Sequence, residues 1–527
     1  MRTLFFCFAG AATLLGFASA CSSTSDNCLE ISSCQPSGGA SGASGAGTSG
    51  ASGASGGGHG GSGNGGTTGG SGTSGGAGAS GESGAAGTGV VPCDSTQTPS
   101  TEACLVSDDF AVFVAPDGKD NAAGTMNAPV ATLTKAIEVA AGSKFVIVCD
   151  ATYDEHVVVS TGAQVYGGFS CPGAGGTWVA ENDAPLFKPS DAGPALKIDS
   201  VTNDVVIDTV NFEVPDAKVA GGTALTAIVN AAPSVTLKNV SLTAGAGMNG
   251  ADGTLQAYSF TTPLSGNPET VAGSGGGETA CACQPGLMSI GGGGGPPSSS
   301  GQSGAMGLPD HGGGQPGTPG SCATVGSGRD GNDAPAATPA SGAATVGTIV
   351  AANWKPTAGA DGTNGSPGQG GGGGASRTNG GHGGGGGCGG CGGNGAKAGQ
   401  GGGGSIALLT LNSSVTLQGC TLTTKDAGSG GSGHTGQPGQ QTVGGGGIAL
   451  NPLNSCAGGN GGKGGDGGPS GGGAGGISVG VLWKGTTAPT LSGGTTTTGK
   501  AGAKGIGGLP GTNDGIAGVK QDMLQVP

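Results

Sequence analysis

Val205-Val206-Ile207-Asp208-Thr209-Val210-Asn211-Phe212 returns as Val235-Thr236-Leu237-Lys238-Asn239-Val240-Ser241-Leu242 and again as Val415-Thr416-Leu417-Gln418-Gly419-Cys420-Thr421-Leu422. A degenerate fourth copy stands at Pro489-Thr490-Leu491-Ser492-Gly493-Gly494-Thr495-Thr496. The template is apolar-x-apolar, a two-residue corner, then apolar-x-apolar, weakened in the fourth copy. Alternation with period two puts the apolar side chains on one face, and the corner turns the chain so that both short strands face one interior. A further strand precedes each copy, at Ala195–Ile198, Ala224–Ile228, Ile406–Leu409 and Ile477–Val481. The runs 145–148, 156–159 and 164–169 fit earlier coils. The unit is one turn of a solenoid.

The spacing between copies carries more information than the copies. The first two lie 30 residues apart, but Val235 to Val415 is 180 and Leu417 to Leu491 is 74. The excess is glycine-rich sequence, 245–403, 425–475 and then 499–511, and each tract leaves from the same template position. Equivalent positions stack in a solenoid, so the three insertions are predicted to emerge side by side from one flank. Within them, as in Gly359-Ala360-Asp361-Gly362-Thr363-Asn364-Gly365, glycine recurs every third residue. Two readings fit this composition: disordered chain, or extended threefold polyglycine helices packed side by side. The tracts are similar to the glycine-rich repeats of mycobacterial surface proteins of the PGRS type, without that family's N-terminal helical domain.

Composition bounds the function. Of 527 residues 129 are Gly and 29 are Pro, with 3 Tyr, 3 Trp and 11 Phe, which excludes one uniform globular domain. The net charge is −14, and Arg2, Arg329 and Arg377 are the only arginines, so no basic face exists to neutralise phosphates and nucleic acid is not an expected partner.

Residues 1–20 read as a signal peptide: Arg2, an apolar run of about 14 residues, short of the roughly 20 that span a bilayer, and then Ala18-Ser19-Ala20. Cys21 follows directly, and the site resembles a bacterial lipoprotein signal, in which that cysteine is acylated. Ala18 stands where such signals usually carry Leu, so ordinary cleavage to a secreted protein is the other reading. Fifteen cysteines suit an oxidising compartment. Cys28 with Cys34, and Cys93 with Cys104, could each close a small loop, while Cys149 and Cys171, one coil apart, fall within disulfide range. Residues 21–91 form a stalk. Its Gly/Ala/Ser/Thr tract, Ser37 to Gly89, should span about 40 Å as a flexible coil.

The folded part opens with Phe113-Val114-Ala115-Pro116-Asp117-Gly118-Lys119-Asp120, then Gly124-Thr125, then Ala128-Pro129-Val130-Ala131-Thr132-Leu133-Thr134-Lys135-Ala136-Ile137. This stretch resembles the opening of a family of bacterial surface proteins with a pectin-lyase-like right-handed parallel β-helix. The resemblance implies a short helix that plugs the coil stack, its Leu133, Ile137 and Ala140 facing the first coil; with the octets the reading is an all-β right-handed parallel β-helix over 92–244, 404–424 and 476–527.

Such folds include polysaccharide lyases and hydrolases, but the chemistry those activities need is missing. Neither Arg329 nor Arg377 lies in a coil. His59 and His382 match a Gly-His-Gly motif only inside glycine tracts. Asp204 and Asp208 are the nearest thing to paired carboxylates and read as solvated strand ends, and His156 reads as a surface histidine. Cys388-Gly389-Gly390-Cys391 has zinc or redox spacing, without a second pair to complete a site. Asp330-Gly331-Asn332-Asp333 and Asp466 lack the apolar residue of a calcium nonapeptide. No catalytic residue, metal site or cofactor is expected. The reading is a non-catalytic exported protein at the outer membrane or cell surface, tethered through Cys21 and structural or adhesive in role. Polysaccharide binding or degradation is the alternative, and surface polysaccharide or another envelope component the expected ligand.

Overall fold

The computed structural model describes residues 93–527 apart from 173–175, 182, 192, 269–274, 285, 299–300, 378–380 and 451–454. The leader, Cys21, Cys28, Cys34, His59 and the stalk to residue 91 lie outside the described residues.

The octets lie over one another in parallel. Val205, Val235 and Val415 are register partners, and Val112, Val146, Val165, Ile207, Leu237, Leu417 and Leu491 make one unbroken column through a seven-stranded sheet. A second column, Tyr153, Phe187, Phe212, Leu242 and Leu422, runs through a six-stranded sheet, with its first rings stacked at 4.8 and 5.5 Å. A third sheet of six strands closes the triangle with Ala227, Leu408 and Val481. All three sheets are parallel, and one apolar core fills the lumen. The chain is a parallel β-helix.

The corners explain why two residues suffice to turn. Thr209, Asn239, Gly419 and Gly493 occupy equivalent positions and all have left-handed backbone, φ 57, 51, 62 and 67°. Their amides bond up the stack, Thr209 to Lys238 O, Asn239 to Gln418 O and Gly419 to Ser492 O, at 2.8–2.9 Å. That ladder offsets the cost of left-handed geometry at non-glycine residues. Ser200, Ala231 and Asn412 repeat the device at a second corner.

Helix α1, Leu133–Ala140, closes the N-terminal end. Leu133, Ala136, Ile137 and Ala140 are buried on the first coil. Its orphan amides are satisfied from outside the helix: Glu155 accepts from Leu133 N and Thr134 N at 2.9 and 2.8 Å, and the Thr132 hydroxyl accepts from Lys135 N.

The described residues of the glycine-rich tracts are packed side by side, which overturns the disordered alternative for them. Residues 245–266 lie beside 425–445: Gly247, Gly250 and Gly253 donate to the carbonyls of Asp426, Ser429 and Ser432 at 3.0, 2.8 and 2.6 Å. Ala427, Gly430 and Gly433 donate in turn to Lys500, Ala503 and Ile506. The 180- and 74-residue register of the coils therefore continues into the insertions, which leave one flank side by side as their spacing predicted. Deeper in the bundle three successive amides serve three different chains: Gly370 bonds Leu308 O, Gly371 bonds Gly387 O and Gly372 bonds Arg329 O, at 3.1, 2.8 and 2.9 Å. This is threefold polyglycine packing. Absent side chains let backbones approach closely enough for nearly every buried amide to find a partner, which stabilises the assembly without an apolar core.

Strands Gly347–Val350 and Asn353–Pro356 form a hairpin inside the first insertion and return to the β-helix. Trp354, 5% exposed, covers an outward stripe of Leu225, Ile228, Ile406, Leu409, Val479 and Leu482. Strands Val235–Lys238 and Ser241–Ala244 pair across 180 residues with Val415–Gln418 and Thr421–Thr424. After the last octet the tail adds one more strand, Lys520–Gln525, against Ser478–Lys484.

Candidate binding surfaces

Outward positions of the coils carry polar pairs between neighbouring rungs. Asp208, nearly buried, receives Lys238 Nζ at 3.0 Å, Asn239 Nδ2 at 3.0 Å and the Thr209 hydroxyl at 2.9 Å. Lys188 pairs with Glu213 at 3.0 Å and Lys425 with Asp216 at 2.9 Å. The Ala246 amide and then Lys425 hold the Asp216 carboxyl below the usual carboxylate range.

A concavity with a volume of about 430 Å³ lies where the tip of the 347–356 hairpin overhangs the third sheet. Lys197, Asp199 and Asn230 supply its polar groups, while Ile228, Leu411 and the hairpin's Ala351 and Ala352 supply apolar wall. Asp199 accepts from Lys197 Nζ and Asn230 Nδ2, both at 2.9 Å, and from the Ser200 hydroxyl at 3.0 Å. The bond from Lys197, followed by that from Asn230, depresses its pKa. An ionised acceptor, an ammonium and an amide beside aliphatic wall can meet the hydroxyls and C–H faces of an uncharged polyol. The arrangement is too fully paired among its own members to supply a general base.

The residues singled out by sequence are dispersed. Asp204 and Asp208 sit at opposite ends of the strand Val205–Asp208, and Asp204 lines a separate shallow corner with Asn203 and Gln164. His156 Nδ1 donates to Pro194 O at 2.8 Å, and its Nε2 lies 3.2 Å from the Asp191 carboxylate on the surface. His382 is buried in the glycine bundle with its Nδ1 unpartnered. Arg329 is a bundle residue whose amide bonds Gln315 O.

Cys388 and Cys391 pair not with each other but with Cys281 and Cys283 of the hairpin 279–291. A hairpin alternates with period two and a glycine helix repeats with period three, so Cys281-Ala282-Cys283 meets Cys388-Gly389-Gly390-Cys391 along one edge. Cys322–Cys456, Cys93–Cys104 and Cys149–Cys171 are also bonded, the last with Cα atoms 4.9 Å apart. Cys420 is free and buried; burial pushes its thiol up in pKa.

Asp330, Asp333 and Asp466 serve the backbone. Asp330 accepts from Asn460 N, Asp333 from Lys463 N and Asp466 from Gly439 N, at 2.7, 2.6 and 2.8 Å. Asn249, Asp252 and Asp426 do the same for Ser429, Ser432 and Lys500. These side chains stand in for the neighbouring chain that surface strands of the bundle lack. Among the described residues, the one His/Cys/Asp/Glu group close enough to hold a metal ion is Cys93, Glu102 and Cys104, and its two cysteines are bonded to each other.

Residues 116–275 match the model of a family described as a protein of unknown function, DUF1565. The match runs from just after the strand Ala111–Val114, through the coils up to 244, and on into the first insertion as far as residue 275. No curated protein and no solved structure matches the chain. Among the described residues no helix is long and apolar enough to cross a membrane.

Proposed function

We propose that the chain is an exported, lipid-tethered cell-surface protein whose body, from residue 93 on, is a rigid structural or adhesive module. The observation that carries this reading is the disulfide set. Among the described residues five bonds run through the cap, the coils and the glycine bundle. Such a set is typical of proteins in oxidising surroundings, which supports reading residues 1–20 as a leader. The backbone-bonded bundle adds rigidity, and a surface module needs rigidity more than it needs a reactive centre. A thiol directly after the leader supplies the anchor, since acyl chains add roughly 0.8 kcal/mol per buried methylene.

Metabolic fatty-acid labelling with cell fractionation of the wild type and Cys21→Ala tests the tether. Label and membrane association in the wild type, both lost in the variant, are expected; wild type found wholly in the medium without label overturns it. The groove beneath the 347–356 hairpin favours a second reading, attachment to surface polysaccharide. Asn230→Ala should weaken retention on a neutral glycan column without changing the melting temperature, and equal retention rejects that reading. Incubation with acidic polysaccharides, with and without calcium, tests degradation, which appearance of unsaturated uronate absorbance would establish.

A further inference from the structure

The two ends of the coil stack differ. Helix α1 seals the N-terminal end, whereas the C-terminal end finishes on three edge strands, Thr490–Ser492, Thr495–Thr497 and Lys520–Gln525, each paired on one side only. A cavity of about 150 Å³ opens there into the lumen between Leu417, Leu422, Leu491 and Thr496. Leu491, bottom of an otherwise sealed column, is 37% exposed. Residues 526 and 527 lie back along the third sheet and not across this end: Val526 N bonds Trp483 O and Lys484 Nζ bonds Pro527 O.

We propose that this end binds the same end of a second copy of the chain, giving a closed two-fold dimer. An open rung presents a row of backbone donors and acceptors along each of three sides, and only another rung of the same triangular outline can meet all three at once. The N-terminal end of a second copy is blocked by its helix, so contact is end to like end and stops at two.

The pitch selects the axis. One turn climbs one strand spacing, about 4.8 Å, so the three edges rise as a ramp in steps of about 1.6 Å in the order 490–492, 495–497, 520–525. Two such ramps meet evenly on all sides only about a two-fold axis through the middle strand. Strand 495–497 then pairs antiparallel with its own copy, and 490–492 pairs with 520–525 of the other chain. Thr495 faces Thr497 of the second copy, and Leu491 is covered near its Met523.

Thr495 and Thr497 are exposed and alternate with Thr496, the position in register with the lumen residue Leu422, so charges there test the register without replacing a lumen side chain. Sedimentation of the full chain across a concentration series should show a dimer. Thr495→Lys/Thr497→Lys, which sets Lys against Lys twice, should raise the dimer dissociation constant at least roughly tenfold, and Thr495→Lys/Thr497→Glu should restore or exceed wild-type affinity. Unchanged circular dichroism in both variants shows that the fold is intact. A wild type monomeric up to its solubility limit, or two variants that dimerise equally well, overturns the proposal.

Discussion

At the scale of single residues, glycine acts here through what it leaves out. A Cβ on Gly386 would overlap the Gly371 carbonyl oxygen, and one on Gly371 would overlap Gly459 O, whereas a Cβ on Gly293 would meet nothing nearer than 3.5 Å. Gly386→Ala should therefore destabilise the bundle by about 1–3 kcal/mol, the range for overpacking. Gly293→Ala should stay within about 0.5 kcal/mol. Thermal unfolding of both variants checks the contrast. The carboxylates that cap surface amides give the bundle an acid limit. Asp514 accepts from Gly507 N at 2.9 Å, pairs with Lys504 at 2.9 Å and accepts from Gly511 N at 3.1 Å, and these partners lower its pKa to about 2. A carboxyl depressed in the folded state contributes above its unfolded pKa and loses that contribution as pH falls through the folded value. The 507–514 loop should thus stay closed at pH 5 and loosen between about pH 4 and pH 2. Hydrogen exchange at the Gly507 and Gly511 amides reads this directly, and protection unchanged down to pH 2 contradicts it.

At the scale of elements, α1 is eight residues long, too short to persist on its own amide ladder. It is held by its apolar face and by Glu155, which lies beyond the first two coil strands and reaches back to two helix amides. Glu155→Ala should cost about 1–2 kcal/mol, by loss of two charge-assisted bonds at the helix N-terminus. A fall in denaturant midpoint at unchanged slope is the measurement. The helix and the octets were legible in sequence because each is decided by neighbours a few residues away. The strands 152–153 and 186–187 were not: two residues carry no period, and only their place beneath Asn211–Glu213 makes them strands. The candidate groove escaped for a related reason. Asn230 and Lys197 read as ordinary outward positions until a hairpin more than a hundred residues away closes over them.

For the molecule as a whole, the β-helix and the glycine bundle rest on different forces. The first buries a continuous aliphatic and aromatic lumen, and the second buries paired backbone. Disulfides should matter most to the second. Cys281–Cys388, Cys283–Cys391 and Cys322–Cys456 close loops spanning 107, 108 and 134 residues. Loop entropy assigns each about 4–5 kcal/mol, with the first two largely redundant because they tie the same two segments. Reduction should open residues 245–403 to protease while the coils from 145 to 244 remain protected, and mass mapping of the first fragments distinguishes this from uniform unfolding. Alternation of apolar residues, corner chemistry and insertion spacing are local or repetitive facts, so the order of the chain itself determined the solenoid and the flank from which the glycine tracts leave. Whether those tracts pack was decided only in three dimensions. Glycine at every third position permits disorder and close packing alike, and the choice falls to packing where coils hold many such chains parallel and in register, so that each amide meets a carbonyl.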